Sequence, residues 1–356
     1  MTRDIYRELQ RKLNDYSLGF PETQSGVELE ILKLLFSEED ADLFLNLSPA
    51  LETAENVAKR LDMDEDVAAR RLEEMAGRGL LFRLEKKGEI RYGAIPFVHG
   101  LFEFRVRNLT PKLARLVDRY HTEGFSRAIG ESAEYFLRPV PVMESIPAEH
   151  QVAAFDDAAA IIKSKNLIVV TDCMCRKLQH TMGEGCGKVM EACFMFGSMA
   201  QYYLDHDLGR KVDVNEAMDI VRRAHEEGLV SQPATSQNPS GMCNCCGDCC
   251  GVLRSIKEFP KPSEMVISNH RAAIDPDACT GCGTCIDRCQ MEAITLTEEG
   301  DTAKVDEDRC IGCGLCVTTC PTGAAVLHPR PEAQLRVPPA TTSEQFLSMA
   351  KKRGVI

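Results

Sequence analysis

The stretch CTGCGTCIDRC, residues 279–289, and its echo CIGCGLCVTTCP, residues 310–321, decide how the C-terminal part of this chain folds. Each is a Cys-x2-Cys-x2-Cys-x3-Cys run, and the second copy is offset from the first by 31 residues. A cubane iron–sulfur core needs four thiolates around it. Two-residue gaps let three successive sulfurs wrap one cube, and a distant cysteine closes the fourth corner. In chains with two such runs, the fourth cysteine of each run reaches the other run's core. The expected sets are Cys279, Cys282, Cys285 with Cys320, and Cys310, Cys313, Cys316 with Cys289. Structural zinc would call instead for four cysteines per site arranged as Cys-x2-Cys pairs. The spacing therefore implies two [4Fe-4S] clusters and one-electron chemistry.

Composition narrows the setting. At 356 residues the chain is long enough for two or three cores. Seventeen cysteines point to disulfides only in a secreted protein. The N-terminal MTRDIYRELQRKLNDY is polar and amphipathic, unlike a signal peptide. The longest apolar run, near Leu167–Val170, is far too short for a membrane span. A reducing cytoplasm is expected, and the oxygen sensitivity of exposed cubanes suggests an anaerobic or microaerobic host. Formal net charge is −12, and two oxidised cubanes take it to about −16. Nucleic acid is a poor partner for that charge. A redox protein with a basic docking surface, met through acidic surfaces of this chain, is the expected partner.

Four regions follow, in an α+β chain. Residues 1–106 carry a winged-helix pattern. Leu29, Ile31, Leu32, Leu35 and Phe36 give one amphipathic helix, and Glu55–Leu61 a second. Val67, Ala68, Arg71, Leu72 and Met75 give a third that stops at Gly77 or Gly79. LLFRLEKKGEIRYGA reads as two strands around a Lys87-Gly88 wing. A DNA-binding domain would present the start of its third helix to the major groove. Here that start is Asp64, Glu65 and Asp66, and residues 1–100 hold 14 Lys+Arg against 20 Asp+Glu. Protein docking is the expected use of this module. Arg70, Arg71, Lys86 and Lys87 are the cations left for phosphate contacts. The three carboxylates also mimic the start of a calcium loop, but Val67 stands where its glycine is needed.

Residues 107–265 are expected to be a mostly helical, cysteine-rich domain, broken at Arg138-Pro139-Val140-Pro141-Val142 and containing one buried strand, Asn166–Thr171. Residues 188–228 read as two helices, the second being VDVNEAMDIVRRAHEEG. SQPATSQNPSG reads as a polar linker. Residues 266–328 hold the two runs, and 329–356 an extended tail ending in a short helix near Phe346 and Leu347.

Nine cysteines remain. Cys173, Cys175, Cys186 and Cys193 are four thiolates within twenty-one residues, enough for a cubane, with Cys193 expected on a helix. Glycines 183, 185 and 187 around Cys186 argue against buried free thiols, which prefer packed cores. Cys243, Cys245, Cys246, Cys249 and Cys250 crowd into MCNCCGDCCG. Adjacent thiolates do not all reach one ion, so the expectation divides between spectator cysteines and pooling of both groups into one or two sites, iron–sulfur or zinc. His180, between the ligands, reads as a surface residue.

Residues 270–328 resemble bacterial two-cluster ferredoxins. The resemblance implies that Ile274 and Ile294 shield the clusters, and that Gly281, Gly283, Gly312 and Gly314 free backbone amides to donate to cluster sulfur. Gln290 departs from that family's proline after the fourth cysteine. The whole chain resembles the long ferredoxin-type proteins of anaerobic bacteria, and the CCG motifs also occur in catalytic subunits of heterodisulfide reductases, whose longer spacing is not reproduced. The sequence contains no dinucleotide fingerprint, P-loop, haem site or HExxH motif. The reading is a multi-cluster electron-transfer protein or subunit, more a carrier than a catalyst. Its alternatives are an oxidoreductase with an atypical cluster at 173–250, and a redox-sensing winged-helix regulator.

Overall fold

The computed structural model describes residues 3–132, 136–141, 145–146 and 153–356; Val142 of the expected break lies outside them. Five helices open the chain: Ile5–Asn14, Val27–Leu35, Glu38–Leu45, Ala54–Leu61 and Glu65–Gly77. Four of them start at a side-chain cap, and Ser37 and Asp40 close a reciprocal capping box at the third. That third helix has no counterpart in the expected pattern, although the Ser37-x-x-Asp40 signature announces it. Strands Phe82–Lys86 and Glu89–Gly93 pair antiparallel about a two-residue turn, with Lys87 and Gly88 both at positive φ. The exposed start of the Glu65–Gly77 helix is acidic, with Asp64 as its cap.

The middle of the chain differs from the helical expectation. Its centre is a five-stranded antiparallel sheet, in the order Arg210–Val212, Ile168–Asp172, Glu191–Phe196, Gly241–Cys245, Val230–Pro233. The segment EACFMF, read as helix, is the central strand. It is a short apolar run between glycine-rich turns, where periodicity alone does not separate strand from helix. Cys193 therefore sits on a strand. The segment read as a polar linker supplies a buried edge strand and turn, with Ser231, Gln232, Thr235 and Ser236 all buried.

Alternation along the central strand sorts its two faces. Phe194 and Phe196 pack with Ile161, Ile220 and Val221 on one side. Cys193 and Met195 face the other, where Val98–Phe102, the His121–Phe125 turn and Tyr203 of the Gly197–Asp205 helix lie. One buried apolar cluster runs from Leu9 through this region to Met349. The tail returns to it: the Thr342–Lys352 helix sends Gln345 Nε2 to the Phe136 carbonyl at 2.9 Å, and Arg353 donates to the Ser17 and Asn14 carbonyls.

Arg138 anchors the middle region. It is 0% exposed, pairs with Asp156 at 2.7 Å, and donates to the Phe155 and Ser236 carbonyls. Asn269, just ahead of the first cysteine run, holds the other Asp156 oxygen at 2.5 Å. Removing one partner of a buried pair strands the other charge, at a cost of about 3–5 kcal/mol. Arg138→Met is expected to lower the urea midpoint accordingly, while Arg138→Met/Asp156→Leu recovers much of the loss. Equal destabilisation by the single and double variants would contradict the pairing.

Candidate metal centres

The two cysteine runs form a pseudo-symmetric unit. Strands His270–Ile274 and Ala325–Pro329 pair antiparallel, as do Ile294–Leu296 and Ala303–Val305. Two small cavities lie in it. One is lined by Cys279, Cys282, Cys285 and Cys320, with Ile274 and Pro321. The other is lined by Cys289, Cys310, Cys313 and Cys316, with Ile294 and Met291. Each cavity thus gathers three cysteines of one run and the fourth of the other.

Backbone amides converge on the sulfurs. Ala303 N donates to Cys279 Sγ at 3.3 Å and Ala272 N to Cys310 Sγ at 3.5 Å, so corresponding strands serve opposite runs. Ala293 N donates to Cys289 Sγ at 3.2 Å and Ala325 N to Cys320 Sγ at 3.4 Å. Donors of this kind stabilise negative charge on a thiolate–iron core and raise its potential. Gly281 shows why glycine is needed beside a ligand. Its φ is +64°, and a Cβ there would lie 2.7 Å from the Asp301 carbonyl.

The cavities differ in depth. Cys282 is exposed and Cys285 is the buried member of its set, whereas Cys310 and Cys316 are both buried. Burial pushes Cys313 up to about 12, and Thr284 lowers Cys282 by hydrogen bonding. Around the exposed set, Asp275, Asp277, Asp287, Glu298, Glu299 and Asp301 face solvent.

The nine upstream cysteines divide into two groups. The sheet and two helix starts place six of them. Cys193 and Cys243 are cross-strand neighbours in the antiparallel register that pairs Phe194 with Met242. Period two puts Cys245 on the same face as Cys243. Cys173 caps the Met174–Thr181 helix, Cys175 lies in its first turn, and Cys250 precedes the Gly251–Lys257 helix. Thiol–thiol interactions join Cys173 to Cys175 and Cys193, Cys243 to Cys193 and Cys245, and Cys250 to Cys245 and Cys175. The six sulfurs close a ring around one wall of a cavity of about 70 Å³. The opposite wall carries His99, Glu103, His121 and Tyr203. Burial pushes Glu103 up to about 7 and holds His99 and His121 down at about 4.

Cys186, Cys246 and Cys249 form the second group, with all three sulfurs within 4.8 Å of one another and Cys186 and Cys246 at 3.7 Å. A tetrahedral ion with metal–sulfur bonds of about 2.3 Å sets its sulfurs about 3.8 Å apart. The trio offers three corners of such a tetrahedron. A thiol–thiol hydrogen bond from Cys249 lowers Cys246. His180 is exposed, as expected for a surface residue.

Alternation along MCNCCGDCC explains the division: odd-numbered Cys243 and Cys245 face the ring, and Cys246 begins the turn that carries Cys249 to the other side. Arg176 lies against both groups. It is 1% exposed, donates from Nη1 to the Asn244 carbonyl at 2.9 Å, and its Nε and Nη2 have no hydrogen-bond partner among the described residues. Its charge is sustained against burial by Cys173, Cys193, Cys245 and Cys246.

The ferredoxin-like unit docks on this region through the residue that departs from the family pattern. Gln290 Oε1 accepts from Gly247 N at 2.6 Å, and a Cβ on residue 247 would lie 2.6 Å from the Gln290 carbonyl. Beside it, Arg288 donates to the Glu226 and His225 carbonyls at 2.5 and 2.6 Å.

Residues 278–324 match the family model of the 4Fe-4S dicluster domain. No curated protein matches the chain. The C-terminal region therefore carries an iron–sulfur dicluster domain, in a chain of mixed helix and sheet. Among the described residues no helix is long and apolar enough to cross a membrane.

Proposed function

We propose that this chain relays single electrons from a redox partner, through two ferredoxin-type cubanes, to the cysteine-rich centre of its middle region. One observation carries the reading. The segment 243–250 supplies three ring cysteines and two of the trio, and the same segment receives Gln290 beside the fourth cysteine of the first run. A free shuttle ferredoxin needs no such seam.

The eight cysteines of the two runs are the proposed cubane ligands, in the exchanged sets that line the two cavities. Bound cubanes supply one-electron storage at potentials tuned by burial and amide donors. The chain's own residues do the rest. Cys282 and its acidic surroundings form the side from which a partner with a basic surface delivers electrons, since charge complementarity mainly raises encounter rates. Ile294, Met291 and Leu315 keep water from the second core. Gln290 and Arg288 hold that core against the middle region. The trio, with its tight spacing, is proposed to hold one tetrahedral ion, zinc, that pins the 243–250 segment to the Cys186 loop. Cys186→Ser is expected to release one zinc per chain, read by elemental analysis, and to leave the cubane signals unchanged; loss of iron instead would make the trio a cluster site.

The N-terminal helices and Lys87-Gly88 hairpin are read as a winged helix used for docking protein. The exposed carboxylates at the start of its third helix, and Arg71 turned onto the Glu39 carbonyl at 2.9 Å, weigh against DNA. A fluorescence titration with duplex DNA at varied salt is expected to show no salt-dependent binding, and its appearance would favour the regulator.

The relay is tested by anaerobic purification with low-temperature EPR under stepwise reduction. The expected result is two interacting cubane signals, plus electron uptake beyond the two electrons that the cubanes accept. Uptake of two electrons only would leave a plain ferredoxin fused to an inert scaffold.

A further inference from the structure

The chemistry of the six-membered ring goes beyond its place at the end of the relay. A pair of zinc ions sharing two bridging thiolates would put those two sulfurs in contact with four or more others. Here thiol–thiol interactions link the six one to the next, and Cys173 also acts electrostatically on Cys243 and Cys245. The six cysteines share the lining of one cavity, where a core held by all of them would sit.

Its size can be calibrated within the same molecule. The cavities of the dicluster domain measure about 10 and about 20 Å³. The cavity that has the ring along one wall and His99, Glu103, His121 and Tyr203 along the other measures about 70 Å³, more than both together. An unpartnered donor lies beside the ring, outside the lining of the cavity itself. Arg176, at 1% exposure, keeps Nε and Nη2 without partners beside Cys173, Cys193, Cys245 and Cys246, and two buried unpaired donors cost several kcal/mol unless an acceptor completes them. Inorganic sulfide of a metal core is such an acceptor. Soft thiolates in an all-sulfur set select iron–sulfur cores, zinc or Cu(I), and zinc and Cu(I) bring no sulfide to fill the cavity or meet Arg176.

We propose that Cys173, Cys175, Cys193, Cys243, Cys245 and Cys250 bind one iron–sulfur core of more than four irons, with Arg176 donating to its sulfides. Each thiol releases a proton to solvent as it binds iron. Six protein ligands exceed what one cubane takes, and they come from three separate segments, 173–175, 193 and 243–250, that the sheet brings to one face. The proposal deepens the relay reading by naming the species at its terminus.

The test uses the full chain, purified anaerobically with ⁵⁷Fe. Iron, acid-labile sulfide and zinc are counted, and Mössbauer spectra give the nuclearity of each spin-coupled unit. More than twelve irons per chain are expected, with one coupled unit of more than four. Cys193→Ser/Cys243→Ser, which breaks the cross-strand side of the ring, is expected to lose more than four irons and to keep the two cubane EPR signals at full amplitude. Those signals report that the variant is folded, and the Mössbauer spectrum of the unmodified chain decides the matter without it. Twelve irons or fewer, a loss of four or fewer, or zinc in the ring would overturn the proposal. The relay reading fails by a different result: the ring's iron is present but takes no electron from the reduced cubanes.

Discussion

Cys310→Ser is expected to cost the chain about four irons and to cut electron delivery to the middle region by more than a hundredfold, with the Cys282-side cubane still present. Cys310 is one of four sulfurs around the buried cavity and accepts the Ala272 amide, so its loss removes a ligand and a tuning contact together. The other cavity takes its ligands from Cys279, Cys282, Cys285 and Cys320 and does not contain Cys310. Iron analysis and EPR separate the two outcomes: one signal lost, one kept. The exchanged pairing adds a sharper expectation. Cys289→Ser, although it lies in the first run, is expected to extinguish the same signal as Cys310→Ser. If it extinguished the signal lost in Cys282→Ser, each run would be binding its own fourth cysteine.

Gln290→Pro is expected to leave both cubanes intact and slow transfer into the middle region at least tenfold. Proline is the residue that the ferredoxin pattern has at this place, and Cys289 before it is extended, at φ −76° and ψ 104°, as a residue preceding proline prefers. The preceding residue therefore accommodates proline. The substitution deletes the 2.6 Å bond to Gly247 and the side chain that reaches the 243–250 segment. Arg288 still tethers the unit through two carbonyls, so the domain stays docked while the seam loosens. Flash reduction followed by freeze-quench EPR reads the change. An unaltered rate would mean that electrons reach the middle region by another face.

Much of the C-terminal grouping of cysteines was legible because three of each four are local in sequence. Gaps of two residues in a turn fix three sulfurs whatever surrounds them, and the 31-residue repeat announces the exchange of the fourth. The upstream nine were harder for the opposite reason. The ring assembles only when a strand after a glycine loop, a strand after a buried turn and two helix starts meet, and no short spacing encodes that meeting. EACFMF illustrates the obstacle: six residues with one apolar face suit helix or strand, and the partner strand at Gly241–Cys245 makes the choice. The polar composition of SQPATSQNPSG hid a buried strand for a related reason, since its side chains are satisfied by neighbours remote in sequence, such as Asn244 for Ser231. The one-residue offset between Cys245 and Cys246 carried the signal that splits the crowded motif. Along a strand, adjacent residues face opposite ways.

The three helices and the hairpin read from periodicity in residues 26–106 are present, with Glu38–Leu45 added among them. Gln290 stood out in the sequence as a departure without a purpose. The structure places it at the seam between two cysteine-rich regions, where an amide side chain does what proline does not.

The account turns on whether the dicluster domain empties into the middle region. The direct measurement is to place one electron on the anaerobic full chain by a flash of photoreductant and follow the cubane EPR signals by freeze-quench. The account predicts that the signal of the Cys282-side cubane rises first, passes to the buried cubane, and then decays as the electron moves to the ring, with Gln290→Pro slowing only the last step. An electron that stays on the two cubanes, with no decay into the middle region in either protein, would contradict it.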